Sequence, residues 1–264
     1  MNLTVEQGNT CLKGGVFDSG GSLVESVVCK GEQMEGLEEL AERYGPEAAM
    51  VSSVTGGEAQ VMARLSGKVR GRIALLESRT EVPLEVRYVP RESLGRDRLA
   101  AAVGASCEYR GCDVLIIDAG TAMTFEMVEA SGVYIGGAIS PGLTTRFRAL
   151  HAFTKQLPLI DEGSEELRAG ESGQSTVASI RAGVVNGMVY EIMGYMGRMW
   201  ARYPEGIVVL TGGHAQFLEG LVKKALCDGK GAEKGCTFAD GGRFVVDGHL
   251  VLKGLNRILE YTVC

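Results

Sequence analysis

The stretch Val114-Leu115-Ile116-Ile117-Asp118-Ala119-Gly120-Thr121-Ala122-Met123-Thr124-Phe125 decides the fold. Four apolar residues run into an acid, and an alternating apolar and polar segment follows a Gly-Thr turn. This pattern predicts a buried strand, a tight turn and a second strand. An acid at the end of a buried strand is costly unless a cation or hydrogen bonds hold it. Because Gly120 lets a ligand approach the backbone and Thr121 offers a hydroxyl, the turn is typical of a metal–phosphate site.

A second copy of this plan opens the chain. Residues 3–17 again give a strand, an acid (Glu6), a glycine, a threonine and a strand. Residues 48–56 and 206–213 form a further pair, in which hydroxyls and glycines follow an apolar strand and precede a predicted helix. One such turn alone is as well explained by a hairpin whose acid caps the turn. Two features that recur in the same order predict a duplicated α/β domain, with two acid-Gly-Thr turns facing each other across a polyphosphate.

The composition narrows the class of protein. The chain of 264 residues is 45% hydrophobic and 23% charged, as is ordinary for a globular protein. The formal net charge of -6 disfavours nucleic acid as a main partner, because no net field attracts phosphate backbones. No apolar run approaches the length of a membrane span, and no basic segment precedes an apolar one at the N-terminus, so we expect neither a membrane anchor nor a signal peptide. Seven scattered cysteines favour free thiols in a reducing cytoplasm.

Two predicted helices carry candidate functional residues. An Ala-rich helix begins near Gly95-Arg96-Asp97-Arg98, where Asp97 either caps the helix or serves chemistry. Two flanking arginines would keep that acid ionised and hold an anionic substrate. The longest helix opens at Ser175-Thr176 and runs to about Tyr203, with an apolar stripe that predicts a packed core. Its glycines allow another helix or a ligand to approach closely.

The remaining segments give expectations about strands and loops. Residues 133–138 are predicted to be a strand, and residues 139–143 a turn into the next helix. Residues 161–173 and 227–242 are polar and Gly-rich, which predicts exposed loops.

An ordered set of segments resembles the type III pantothenate kinases over nearly the whole chain. No single segment is specific, since Asp-x-Gly-Thr alone is a weak motif, but the order and spacing together are highly specific. The matching segments are the opening hairpin, Tyr88-Val89-Pro90, Gly95-Arg96-Asp97-Arg98, Asp118-Ala119-Gly120-Thr121, Gly136-Gly137, Ile139-Ser140-Pro141-Gly142 and Ser175-Thr176.

The resemblance implies the fold shared by acetate and sugar kinases, heat-shock chaperones and actin. That fold is α/β, with duplicated ribonuclease H-like (actin-like ATPase) domains whose mixed sheets are flanked by helices. The duplication seen in the sequence agrees with it. We therefore expect a first domain over residues 1–112 and a second over residues 113–264, with the nucleotide cleft between them.

The resemblance also implies an activity, the ATP-dependent phosphorylation of pantothenate to 4'-phosphopantothenate in the first step of coenzyme A biosynthesis. Asp97 would be the general base, and Asp118 would bind a monovalent cation, K⁺ or NH₄⁺. The ATP phosphates would be held, with Mg²⁺, by Glu6, Gln7, Gly8, Asn9, Thr10, Cys11, Leu12, Lys13 and Thr121. Pantothenate would be contacted by Tyr88, Gly95, Arg96, Asp97, Arg98 and Thr176.

This chain departs from the family pattern at Glu6, where the first phosphate turn usually carries Asp. A contact to Mg²⁺ through water would absorb the extra methylene, because Mg²⁺ keeps several of its waters. Two other functions stay open on the sequence, a non-catalytic nucleotide-binding regulator of the same fold and a kinase of another small hydroxy acid or sugar. The retained acids and the complete Gly-Arg-Asp-Arg segment favour an active kinase. The resemblance further implies a homodimer, and the composition favours a cytoplasmic protein that uses neither nucleic acid nor a membrane.

Overall fold

A computed structural model describes residues 1–31, 33–161, 170–228 and 243–263. The predicted loops at 161–173 and 227–242 therefore lie for the most part outside the described residues. The chain forms two compact units. Unit 1 comprises Met1–Val114, Glu126–Gly136 and His249–Cys264, and unit 2 comprises Leu115–Phe125 and Gly137–Gly248.

Unit 1 is built on a five-stranded mixed sheet with the strand order β3-β2-β1-β4-β5. Strands β1, β2 and β3 are antiparallel neighbours, whereas β4 runs parallel to both β1 and β5. The apolar side chains of β1 and β4 are almost completely buried, as expected for strands covered on both faces. The strands are β1 Asn2–Gln7, β2 Cys11–Phe17, β3 Leu23–Lys30, β4 Ala48–Ser53 and β5 Ile73–Leu75.

The described part of unit 1 contains one 3₁₀ helix, Arg91–Ser93, and four α-helices: α1 Glu35–Tyr44, α2 Glu58–Leu65, α3 Arg96–Glu108 and α7 Leu250–Val263. Helix α1 ends at Gly45, which adopts the left-handed conformation that glycine tolerates best. Helices α3 and α7 approach each other through Gly104 and Gly254. A Cβ atom at Gly254 would collide with the carbonyl of Ala100, so only glycine allows this spacing. The close packing fixes α3, whose first turn carries Asp97.

The second sheet has six strands in the order β11-β10-β7-β8-β9-β6. Strands β7 and β8 are joined through Gly120 and Thr121, and a two-residue connection joins antiparallel neighbours. Strand β9 extends to Pro141, so the prediction of a turn over residues 139–143 was wrong by three residues. The strands are β6 Glu85–Val86, β7 Val114–Ala119, β8 Ala122–Glu129, β9 Val133–Pro141, β10 Ile207–Thr211 and β11 Arg243–Val246.

The helices of unit 2 are α4 Leu143–Ala152, α5 Thr176–Arg202 and α6 Ala215–Asp228. Ser175 caps α5 by accepting a hydrogen bond from the Ala178 amide, so Ser175 rather than Thr176 is the cap. The predicted apolar stripe is buried from Ile180 to Met199. A Cβ atom at Gly183, Gly194 or Gly197 would meet open space, so these glycines make no close contact with the described part of this chain.

The observed elements confirm the predicted α/β class with mixed sheets flanked by helices. Both strands singled out as a repeated pair, β4 and β10, are followed by a helix as expected. Over the described residues, no helix combines the length and apolarity that a membrane crossing would require.

Candidate active site

The first hairpin of unit 1 forms a tight turn between β1 and β2. Glu6 lies opposite Lys13, and the Gly8 amide donates to the Cys11 carbonyl over 3.0 Å, which closes the turn. Asn9 and Thr10 are exposed at its tip. The side chain of Leu12 is buried in the core, so a contribution of this residue to phosphate binding would come from its backbone.

Glu6 and Asp97, which lie 91 positions apart in sequence, are brought near each other in unit 1. Glu6 Oε2 lies 3.5 Å from Lys13 Nζ. Burial raises the pKa of the Glu6 carboxyl, Lys13 opposes this rise, and the negative charge of Asp97 adds to it. Glu6 Oε2 is buried and makes no hydrogen bond among the described residues. A buried carboxylate next to a second acid is the arrangement that a bound cation would stabilise.

The loop after β4 packs against the same turn. The Val54 amide donates to the Gln7 carbonyl over 3.1 Å. A Cβ atom at Gly57 would strike the side-chain amide of Gln7, so Gly57 makes room for that side chain at the start of α2. The side chain of Gln7 is therefore directed toward α2, away from Lys13, because neighbouring residues of a strand point to opposite faces.

Asp97 occupies the second position of α3, and Gly95 takes the N-cap position. Of the two alternatives left open for Asp97, the one in which it caps the helix is therefore wrong. Asp97 Oδ1 accepts a hydrogen bond of 2.9 Å from the Arg98 amide. A Cβ atom at residue 95 would lie 2.6 Å from Asp97 Oδ1, so glycine is needed for the carboxylate to occupy this place.

The two arginines that flank Asp97 bond to other groups, contrary to the expectation that they hold its charge. Arg96 Nη1 donates to the carbonyl of Ser53 over 3.0 Å and thereby ties α3 to the end of β4. Arg98 donates to Glu126 through Nε and Nη2, at 2.6 and 2.8 Å. Asp97 is thus placed by its helix position and by its own backbone contact rather than by its neighbours' guanidiniums.

Arg98 is the centre of a buried polar cluster that also includes Glu126, Tyr134 and Tyr88. The hydroxyl of Tyr134 donates to Glu126 Oε2 over 2.6 Å and accepts from Arg98 Nη2 over 3.3 Å. Arg98 Nη1 lies 3.5 Å from the Tyr88 hydroxyl, and the guanidinium carbon lies 5.3 Å from the Tyr88 ring centroid. Arg98 is 6% exposed and Glu126 and Tyr134 are 0% exposed, so the ion pair is almost completely shielded from water.

The charges in this cluster stabilise one another. Burial disfavours the charged guanidinium, but the hydrogen bonds and the charge of Glu126 raise the pKa of Arg98 overall. Burial and the same carboxylate also raise the pKa of Tyr134, so its hydroxyl stays protonated and donates. Sequence reasoning missed Glu126 and Tyr134, because the alternation of β8 placed Glu126 on the polar face with Thr124.

The turn between β7 and β8 is held by three contacts inside unit 2. The Thr121 carbonyl accepts from the Gly142 amide over 3.1 Å and from the Thr145 hydroxyl over 2.6 Å. The Gly120 amide donates to Ala122. Thr121 itself is exposed.

Asp118, at the end of β7, is half-buried beside the loop that follows β10. Gly212 has a positive φ of 95°, and a Cβ atom there would overlap the Asp118 carboxylate. The His214 amide donates to the Ala119 carbonyl over 3.0 Å and holds this loop in place. Glycine at 212 thus lets the Asp118 carboxylate and the backbone of Ala119 pack directly against this loop.

The last of the predicted residues, Thr176, is exposed at the first position of α5. Across the described residues, no group of three or more His, Cys, Asp or Glu side chains could hold a metal.

Both the sequence and the fold of this chain resemble those of known proteins. The family model for type III pantothenate kinase matches residues 2–198. A type III pantothenate kinase of Bacteroides fragilis is 41% identical over 261 residues, which cover 99% of this chain and 98% of the relative. One of Porphyromonas gingivalis is 38% identical over 266 residues, covering 100% and 99%. Among solved structures, the activator of the 2-hydroxyisocaproyl-CoA dehydratase from Clostridium difficile with bound ADPNP aligns with a TM-score of 0.54 and 13% identity, covering 99% of this chain and 96% of that one.

The fold is that of the actin-like ATPases and the kinases related to them. At 13% identity, these solved structures are evidence for the fold alone. The sequence comparisons narrow the class to kinases that use ATP. The chain belongs to the type III pantothenate kinase family.

Proposed function

We propose that this chain transfers the γ-phosphoryl group of ATP to the hydroxyl of pantothenate, with Asp97 as the general base. The product is 4'-phosphopantothenate, and the reaction is the first step of coenzyme A biosynthesis. The observation that supports the proposal most is the position of Asp97, whose charge acts on Glu6 beside Lys13 at the first hairpin turn. An acid near a phosphate turn is where a base for phosphoryl transfer has to lie.

The first hairpin would supply the phosphate contacts. The backbone of residues 8–11 and the ammonium of Lys13 would bind phosphate oxygens. Glu6 would hold Mg²⁺ through water, and that ion would offset the charge of the β- and γ-phosphates. The buried Glu6 Oε2 without a hydrogen bond fits this role. Phosphoryl transfer requires positioning and charge neutralisation more than covalent chemistry, which is what these groups provide.

In the other unit, we propose that Asp118 binds K⁺ or NH₄⁺ and that Thr121 contacts the nucleotide. The place of the half-buried Asp118 at the end of β7, packed against the backbone of the loop that follows β10, supports this role. Pantothenate would be bound by Tyr88, Gly95, Arg98 and Thr176. Arg96 would act indirectly, because its guanidinium is bonded to the Ser53 carbonyl.

The proposal is tested by measuring ATP turnover with and without pantothenate, in Mg²⁺ with either K⁺ or Na⁺. We expect ADP release that depends on pantothenate and is faster in K⁺ or NH₄⁺ than in Na⁺. Equal rates in K⁺ and Na⁺ would remove the role of Asp118. Turnover with another hydroxy acid but not with pantothenate would identify a kinase of different specificity, and no turnover with any acceptor would support a nucleotide-binding regulator.

We also propose a cytoplasmic homodimer that uses α5. The outward face of this helix carries Tyr190, which is 69% exposed, and the glycines 183, 194 and 197, where an added Cβ atom would meet no atom of the described part of the chain. Small residues let a second helix approach closely, so a partner copy of α5 would fit there. The mass in solution at low concentration tests this, and a fully active monomer would contradict it.

A further inference from the structure

The buried carboxylate of Glu126 has no role in the function proposed above. It accepts two hydrogen bonds from Arg98 and one from Tyr134, and all three side chains belong to unit 1. Glu126 lies deeper than Arg98, with no exposed surface. A carboxylate in this position cannot touch a substrate, so its effect must pass through Arg98.

Counting the N–H groups of Arg98 shows which edge of the guanidinium is left for a ligand. A guanidinium has five N–H donors, one on Nε and two on each Nη. Nε donates to Glu126, and Nη2 donates to both Glu126 and Tyr134. The Nη1 donors are left, and among the described residues they meet only the Tyr88 hydroxyl at 3.5 Å. The edge that carries Nη1 is therefore the one that faces Tyr88.

We propose that Glu126, assisted by Tyr134, is a positioning residue that locks Arg98 so that its Nη1 edge, beside Tyr88, is presented to the acceptor substrate. This inference rests on the proposed function, in which Tyr88 and Arg98 contact pantothenate. A bidentate Arg–carboxylate pair fixes both the position and the plane of the guanidinium. The hydroxyl of Tyr134 bonds to both Arg98 and Glu126 and so helps to hold the two side chains in one relative position.

The geometry separates this role from a purely structural one. A buried ion pair contributes little net stability, since the loss of hydration offsets the attraction between its charges. Its benefit is the fixed direction of the Arg98 donors, which matters for substrate binding. Loss of Glu126 should therefore alter pantothenate binding selectively, because its carboxylate bonds to Arg98 and Tyr134, whereas Glu6 and Lys13, which serve the nucleotide, pair at the first hairpin.

The first variant is Glu126→Gln. Its carboxamide offers one acceptor oxygen, and its NH₂ group would face the guanidinium, so Arg98 must turn. Loss of a charge-assisted hydrogen bond typically corresponds to about a 10- to 100-fold effect, so we expect the KM for pantothenate to rise by roughly that factor. The KM for ATP should stay within about twofold and kcat should change much less than the pantothenate KM.

A matched control exists elsewhere in the same unit. Arg43 donates through Nη1 to both oxygens of Glu25, and the Tyr44 hydroxyl donates to the same carboxylate over 2.7 Å. This cluster has the same three residue types but lies on the surface. Glu25→Gln and Tyr44→Phe should leave both KM values and kcat unchanged.

A double-mutant cycle with Arg98→Lys shows whether Glu126 acts through Arg98. Lysine cannot form the bidentate pair, so in that background Glu126→Gln should change the pantothenate KM by less than about twofold. Additive effects would overturn the proposal, as would equal rises in both KM values.

Because Glu126→Gln leaves Arg98 buried and unpaired and can fail to fold, Tyr134→Phe is the second variant. It keeps the ion pair, and we expect a smaller rise in pantothenate KM with no change for ATP.

The outcomes separate this inference from the proposed function. No pantothenate-dependent turnover by the unaltered protein would contradict the proposed function, and the inference would fall with it. Normal turnover by the unaltered protein, with unchanged pantothenate KM in folded Glu126→Gln and Tyr134→Phe, would overturn the inference alone.

Discussion

At Asp97, one substitution can distinguish a catalytic role from a role in stabilising the fold. Asp97→Asn keeps the side-chain oxygen that accepts from the Arg98 amide, and Gly95 rather than Asp97 occupies the N-cap position. We therefore expect kcat to fall by about 10²- to 10⁴-fold, as for loss of a general base. The melting temperature and the ATP affinity should stay near those of the unaltered protein. A kcat close to the unaltered value would leave Asp97 as a structural residue.

Glu6 is expected to show opposite effects on stability and activity. Because burial raises its pKa, the folded state binds the Glu6 proton more tightly than the unfolded state does. The resulting stability is fully present below the ordinary glutamate pKa and is lost as pH rises through the raised value. At neutral pH, Glu6→Gln should therefore be at least as stable as the unaltered protein, which thermal unfolding at several pH values measures.

The same substitution should weaken the use of Mg·ATP strongly, since Glu6→Gln removes the charge that would hold Mg²⁺. Glu6→Asp keeps that charge and should be tolerated. The KM for Mg·ATP, measured for both variants at saturating pantothenate, distinguishes them. Unchanged ATP kinetics in Glu6→Gln would show that the first hairpin does not hold the metal.

A site residue can be predicted from the sequence when a short motif around it determines its position. Glu6, Lys13, Asp118 and Thr121 lie in turns whose strand-acid-Gly-Thr pattern is visible in one short window. Glu126 is not visible in this way, because its burial follows from Arg98, 28 positions earlier in the chain. The alternating pattern of β8 assigns it to the polar face, and a long-range ion pair overrides that pattern.

The turn between β7 and β8 depends on the segment that leads into α4. A Cβ atom at Gly142 would press on the backbone oxygens of Gly120 and Thr121. Gly142→Ala should therefore cost about 1–3 kcal/mol of stability by overpacking, and it should raise the KM for ATP by displacing Thr121. Thermal unfolding and ATP kinetics check both effects.

Gly220→Ala in α6 is the matched control for Gly142→Ala. Its Cβ atom would meet open space, and alanine in a helix interior is favoured over glycine by roughly 1 kcal/mol. We expect this variant to be slightly more stable with unchanged kinetics. Equal behaviour of the two variants would contradict the role of Gly142 in holding the turn.

Helices and strands could be predicted where a periodic pattern of apolar residues runs over many positions. The residues at which they end were harder to predict. The range predicted for α5 agrees closely with Thr176–Arg202, since its apolar stripe covers many turns. Strand β9 runs past its predicted end at residue 138 to Pro141. Pro141 and Gly142 favour a turn by composition, but a proline can also occupy the end of a strand. Local composition therefore ended the strand too early.

For the whole molecule, the repeated order of motifs was the strongest prediction from sequence. Both hairpins, followed in each half by an apolar strand and a helix, are present in the structure. The assignment of segments to the two units was harder to predict from the sequence. The C-terminal helix α7 belongs to unit 1, where it packs against α3. Nothing local in residues 250–263 specifies that partner, which becomes visible only in the fold, where Gly254 packs against Gly104 and Ala100.

The most direct measurement is the identity of the phosphorylated product. The purified protein is incubated with ATP, Mg²⁺, K⁺ and pantothenate, and ADP and 4'-phosphopantothenate are quantified by mass spectrometry beside the Asp97→Asn variant. We expect one 4'-phosphopantothenate for each ADP formed, with the variant slower by about 10²- to 10⁴-fold. ADP formed without 4'-phosphopantothenate, or product formed equally fast by the variant, would contradict a pantothenate kinase in which Asp97 is the base.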